Sequence, residues 1–523
     1  MEDDANWLLM ENVSRLDRRE FLSLAGRAAM TSASLAAVLA ACGPAGVSQE
    51  AKKGGTLTVQ IPGDIDNFDP AIQRLTASLN IAYNVFDQLV QYNEQNNLEG
   101  RLAQKWDVTD RVWAFHLRSG VKFHNGDPFS SEAVKFSIER ILDPKTGSTW
   151  KPKLSSIEKV EAPDPGTVII TTNQPHATLL DDLSWGLTIV NPKTIDTVSS
   201  KPIGTGPFLF DRWIPNDKII LKRNPNYWDP NVPQIDQLIL KPLTDPKVAV
   251  NNLQAGTVDV VTSLSVVDMQ SLQNNSSVRV IRPAWGGTDE ILFIPSHNKA
   301  LGDKRVRQAL AYALDKDAIN KSVYFGLGTP TSSFVPKRNW AYVDLPGYSY
   351  DLDKARSLLQ QSGYGSGFSL EVIVPSGFDP LSKEAEIWQA GLKQIGVQAS
   401  IKTMELNAWV DKLLKNDYDA SMNVYPGFFD PSTVLSNHAF VWEPVYKSLG
   451  RQDAVDDIQN GVAAIGQDAR KPIYRRIQED FIDEVPAIFV VEVPFGIAAS
   501  KRVQGLAVTP RQDLILRKVT LAS

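Results

Sequence analysis

The sequence predicts an α/β protein made of several packed lobes, and three observations support this. The chain has 523 residues, too many for one ordinary hydrophobic core. Its 43% hydrophobic and 22% charged residues match the balance of folded soluble domains. Phe368–Val374 reads as a strand, Ala385–Ile395 as a helix and Val397–Ile401 as a second strand, and this β-α-β order implies a parallel pair under a helix.

The elements can be justified in chain order. Arg15, Arg18 and Arg19 precede an apolar run from Phe21 that ends at Cys42, the single cysteine. A positive start, an apolar stretch and small residues before a cleavage point make a secretory signal over residues 1–42. Arg18-Arg19-x-Phe-Leu is similar to the twin-arginine export signal, and Leu39-Ala40-Ala41-Cys42 resembles the bacterial lipobox, whose cysteine becomes a lipid attachment point. Arg27 and the Ser/Thr residues make the same run a poor membrane span. Residues 43–53 read as a flexible tether.

The folded body opens with Thr56–Ile61, an alternating β-branched strand closed by the turn Asn67-Phe68-Asp69-Pro70. Ser130-Ser131 reads as the cap of a helix carrying Val134, Ile138 and Ile141, stopped by Asp143-Pro144. Val306, Leu310, Ala313 and Leu314 mark another helix, and Ala355, Leu358 and Leu359 a third that ends near Gly363.

Composition and motifs exclude several function classes. A formal net charge of −6 provides no basic field for nucleic acid. The five histidines show no metal-ligand spacing and read as locally bonded, so no metal site and no cofactor is expected. No G-x-S-x-G elbow is present, and Cys42 lies ahead of the folded body, leaving no visible nucleophile. Gly204-Thr205-Gly206-Pro207 lacks the Lys-Ser/Thr of a phosphate loop and reads as a tight turn.

Longer blocks carry a resemblance. They include YNVFDQLVQYN at 83–93, LAQKWDVTDRVWAFHLRSGVKFHNGDPFSSEAVKFSIERILDP at 102–144, GTGPFLFDRWIPNDKIILKRNPNYWDP at 204–230 and DKRVRQALAYALDKDAI at 303–319. In this order they resemble the family 5 extracellular solute-binding proteins of ABC transporters, the oligopeptide, dipeptide and nickel type. The resemblance implies a two-lobed periplasmic-binding-protein type II (cluster C) fold with an extra domain inserted in the first lobe. Lobe one would hold residues 54–91, 189–286 and 488–523, the inserted domain 92–188, and lobe two 287–487. Two crossings between lobes would act as a hinge that closes on a ligand. Trp106, Trp113, Trp213 and Trp228 fall in scaffold blocks and are assigned to packing.

The implied function is that of a lipid-anchored, monomeric receptor outside the cytoplasmic membrane or in the periplasm. It would bind an organic solute, peptide by family frequency, and hand it to ABC permease subunits without breaking a bond. Peptide-binding members hold the peptide ammonium with an acid three positions before an Asp/Glu-Pro pair. Here that position is Gly427, ahead of Asp430-Pro431. A buried ammonium without a partner costs several kcal/mol. Asn423, Tyr425, Phe428 and Asp430 of the same loop are therefore candidate contacts, with Phe68, Leu75, Thr76, Trp185 and Trp285 from the other wall. Asp430 could stand in for the acid or serve a turn; the aromatics could stack on a ring or pack. An oligosaccharide receptor is the alternative. A metal-chelate ligand would want a histidine, and His438 is the one near this loop. An extracellular hydrolase is a rival that needs paired cleft carboxylates. A signalling or chaperoning receptor is another.

Overall fold

The computed structural model describes residues 54–522 apart from 74, 75, 263 and 438. Arg18, Arg19, Cys42, Leu75 and His438 lie outside the described residues, as does the expected tether.

Two sheets organise the body. The first has seven strands in the order Val278–Ile281, Ile497–Ser500, Val260–Val261, Thr56–Ile61, Gln237–Pro242, Lys218–Arg223 and Phe208–Ile214. Thr56–Ile61 runs parallel to Gln237–Pro242, and Leu57, Val59 and Ile61 are buried, as the alternating β-branched sequence requires of an interior strand. The second has six strands in the order Thr329–Pro330, Ala487–Glu492, Thr288–Phe293, Ala420–Tyr425, Ser369–Pro375 and Gln398–Met404. Each sheet has its own apolar core.

The expected β-α-β unit lies in the second sheet. Ser369–Pro375 pairs parallel with Gln398–Met404, and helix Asp379–Gln394 connects them. This helix begins ahead of the sequence reading because Pro380, which resembles a breaker, sits in its first turn, where the missing N–H costs nothing.

The chain passes from the first sheet to the second through residues 282–287 and returns through 493–496. Val493 N donates to Gly287 O at 2.8 Å, so the crossings run side by side. A Cβ on Gly286 would lie 2.0 Å from Val493 O, and only glycine permits that approach. Strand Ala487–Glu492 pairs inside the second sheet, so the return follows Glu492, beyond the boundary expected at 487/488.

Between the first-sheet segments sits a four-stranded antiparallel sheet, Ala103–Thr109, Val112–Leu117, Thr167–Thr172 and Ile157–Asp164, packed against helix Ser131–Leu142. Ser130 takes the N-cap position without a side-chain bond, and the Ser131 hydroxyl instead donates to Asp164 O at 2.6 Å. The Gly204–Gly206 turn owes its glycines to crowding: Cβ atoms there would fall 2.0 and 2.5 Å from the Val85 carbonyl.

Candidate functional site

Six segments converge beside the crossings. Strand Val90–Tyr92 ends in Tyr92, helix Leu179–Gly186 carries Asp181 and Trp185, and the first crossing carries Trp285. The loop after strand Ala420–Tyr425 brings Phe428, Phe429 and Asp430, and helix Gln467–Glu484 brings Arg470. The sixth is the tip of the hairpin between Ala507–Val508 and Leu514–Ile515, closed by Gln512 N donating to Thr509 O at 2.8 Å, which presents Arg511.

At the centre is an aromatic stack. Tyr92 and Phe429 lie face to face, with ring centres 3.5 Å apart and planes 7° apart, and Trp285 meets Phe429 edge-on at 6.4 Å. The Arg511 guanidinium is 4.9 Å from the Phe429 ring centre and 5.4 Å from that of Tyr92. The contact joins a ring from each side of the cleft to a cation from the first sheet's C-terminal tail.

The acids of this cleft are held by arginines. Arg511 lies 3.4 Å from Asp181 and 3.2 Å from Asp513, all three buried. Burial pushes the Asp181 carboxyl up to about 6, outweighing the opposite pull of Arg511. Arg470 grips Asp430 through two bonds of 2.7 and 2.5 Å, and the contacts with Asp430 raise the basicity of the guanidinium against the effect of its burial. Thr433 Oγ1 donates to Asp181 at 3.4 Å, tying the Asp430-Pro431 loop to helix Leu179–Gly186.

A cavity of about 520 Å³ opens here, lined among others by Tyr92, Trp106, Asp181, Arg338, Trp340 and Arg470. A second, of about 590 Å³, lies along the crossings and shares Trp285 and Arg338 with the first.

The expected site residues separate into groups. Trp285, Phe428, Asp430 and Gly427 come together. Trp285 Nε1 donates to Phe428 O at 2.8 Å, and both Trp285 and Asp430 line the 520 Å³ cavity. A Cβ on Gly427 would lie 2.3 Å from Pro510 O, so the position expected to hold an acid has no room for a side chain. Trp185 packs on Trp150 at 5.7 Å with Arg511 at 5.3 Å from its ring, behind the cleft wall.

Phe68 does not reach the cavity, because it is buried edge-on against Phe210 and Trp213 in the first core. Asn423 is buried too and donates to Glu290 at 2.7 Å, while Tyr425 donates to Thr433 O at 3.0 Å and packs on Phe428. Thr76 opens helix Thr76–Val85.

Trp106, assigned to packing, also lines the cavity. Tyr92, Asp181, Arg338, Trp340, Arg470 and Arg511 are cleft residues that sequence reasoning missed. Tyr92 lay inside a quoted block, whereas nothing local marks Arg511, which meets Asp181 across 330 residues.

The four described histidines are locally bonded, His116 to Asp107, His124 to Gly206 O, His297 to Asp417 and Asp419, and His176 to Ser156 and Asp182. The last is a Ser–His–Asp chain, but none of its members lines either cavity. Among the described residues no group of three or more His, Cys, Asp or Glu is arranged to hold a metal.

Comparison with known proteins settles the family. The model of the bacterial extracellular solute-binding proteins, family 5 (middle part), matches residues 97–441. The chain belongs to that family. The dipeptide-binding protein of Escherichia coli K12 is 28% identical over 452 residues, 78% of this chain and 83% of that protein. Heme-binding protein A of Haemophilus influenzae is 28% identical over 488 residues, 85% of this chain and 88% of that protein. The solved structure of HbpA2 from Haemophilus parasuis superposes with a TM-score of 0.82 at 25% identity, covering 89% of this chain and all of that one. The two sheets are thus the lobes of a type II periplasmic binding protein, and the family captures solutes for ABC importers. Its members work outside the cytoplasm, and no helix among the described residues is long and apolar enough to cross a membrane.

Proposed function

We propose that this protein is a lipid-anchored receptor that captures a small organic solute between its lobes and releases it to a permease. The observation that carries this reading is the Tyr92–Phe429–Trp285 cluster, where rings from both walls and a crossing meet beside a 520 Å³ cavity. A ligand that enters gains contacts from both lobes only when they are shut. Binding without catalysis fits the two carboxylates that line this cavity, since Asp181 and Asp430 each pair with an arginine. Cys42 would carry the lipid and Arg18-Arg19 would direct export, leaving the body monomeric on the outer face of the membrane.

The family members compared above are named for a dipeptide and for heme, so peptides come first as ligands, and oligosaccharides are the alternative. A thermal-shift series on the full chain with di- and tripeptides, oligosaccharides and metal chelates tests the reading. A true ligand at 100 times its Kd adds about 2.7 kcal/mol of stability. A flat response across all three classes removes the receptor assignment.

A further inference from the structure

The receptor reading leaves the ligand's charge open, and the cleft constrains it. Among the described residues, the acids beside the aromatic stack are paired with arginines, and the expected acid position is empty of one. Gly427 has neither a carboxylate nor space for one, Asp430 is clamped by Arg470, and Asp181 and Asp513 share Arg511. The cations along the crossings are in the opposite condition. The 590 Å³ cavity is lined by Arg282, Lys337 and Arg338, with Glu492 as its one carboxylate.

Among the described residues Arg282 makes one hydrogen bond, from Nη2 to Leu327 O at 2.7 Å, and partial burial lowers its basicity. Lys337 and Arg338 line the same cavity and act on Glu492 through charge, with no closer carboxylate along its wall. Burial raises the Glu492 carboxyl against the pull of Arg338 and Lys337, and one of its oxygens accepts from Lys337 N at 3.0 Å, so a single carboxylate faces three cations. Arg338 also lines the aromatic cavity, and Trp285 stands between the two spaces.

Resting on the receptor reading, we infer that the cleft selects organic anions. One or more ligand carboxylates are held by Arg338 with Lys337 and Arg282, and a flat or apolar part lies against Trp285 and Trp340. Guanidinium groups suit this task because their fork matches a carboxylate in two-bond geometry. Cations on both the crossing and the second lobe also draw the anion toward the hinge, where closure removes it from water.

The test uses four probes sharing one indole ring: N-acetyl-Trp-Glu, a dianion; N-acetyl-Trp, a monoanion; N-acetyl-Trp-amide, neutral; and tryptamine, a cation. Each is titrated calorimetrically into the full chain at pH 7.5. Affinity is expected to rise with negative charge, the dianion binding at least tenfold more tightly than the neutral amide. Arg338→Gln is expected to shrink that ratio to near one. Equal or tighter binding of the cation, or an unchanged ratio in Arg338→Gln, overturns the charge assignment. Trp285→Ala separates the two readings. If the charge order fails while Trp285→Ala still abolishes binding, the receptor reading stands alone. If no probe binds, the charge assignment falls and the receptor reading is decided by the thermal-shift series; if the probes bind and Trp285→Ala leaves every affinity unchanged, both readings fall.

Discussion

Two sets of buried carboxylates in this chain are kept by opposite means. Around the cleft, Asp181 and Asp513 pair with Arg511 and Asp430 with Arg470, although burial still pushes Asp181 up to about 6. Inside lobe two, Asp289 and Glu384 face each other, and Tyr324 donates to Asp289. Two ionised carboxylates cannot donate to each other, and both Glu384 oxygens are buried without a donor among the described residues, so the pair is held by a proton and not by a counter-charge. Burial raises both Asp289 and Glu384 above the usual carboxylate range, and Glu290 beside them reaches about 8. The difference follows from water. Cleft groups must tolerate wetting whenever the lobes part, and an ion pair is stable in either condition. Groups sealed under a sheet are neutralised more cheaply by a proton.

The sharpest way to break the comparison is to remove the cleft cation. Arg511→Met leaves Asp181 and Asp513 buried with no counter-charge and is expected to cost ~3–5 kcal/mol in urea unfolding. Adding Asp181→Asn should recover part of that loss. A cost below 1 kcal/mol would mean the cleft acids are neutralised as the lobe-two acids are.

Next in size is Gly427→Asp, which supplies the acid expected of peptide binders. Its Cβ would meet Pro510 O at 2.3 Å. Overpacking at such a contact costs ~1–3 kcal/mol, read as a lower thermal midpoint. An unchanged midpoint would show that the Gly427–Pro510 contact is not part of the native packing.

A third effect is read against pH. A carboxyl whose folded pKa is raised binds its proton more tightly in the native state, so its contribution to stability declines as pH rises from about 4 toward the folded value. Between pH 5 and 8 the loss approaches about 1.4 kcal/mol per unit for each proton involved. Glu384→Gln keeps a neutral partner for Asp289 and should flatten the curve, its advantage over the parent growing with pH. His297, also raised, slopes the same way but is common to both proteins and cancels in the difference. A difference that is constant with pH would contradict a shared proton.

The sequence made the elements legible wherever the signal was local. Alternation in Thr56–Ile61 gave that strand its limits, and the order around residues 369–404 gave a parallel pair. The site was legible only in part. Trp285, Phe428 and Asp430 were reachable because one loop and one crossing carry them. Arg511 and Tyr92 were not, because Arg511 arrives on the C-terminal hairpin and Tyr92 on a short strand more than 300 residues from Phe429 in sequence. Phe68 was misplaced for a related reason: a turn after a strand can face a cleft or a core, and Phe210 and Trp213 on a distant hairpin decide for the core.

The central claim, that a solute is held between the lobes, is tested most directly by hydrogen exchange with a saturating ligand from the thermal-shift series. Amides of 90–98, 284–287 and 426–431 should slow together, because those segments supply Tyr92, Trp285 and Phe429 from both walls and a crossing. Protection confined to one lobe, or absent from all three segments, would contradict capture in this cleft.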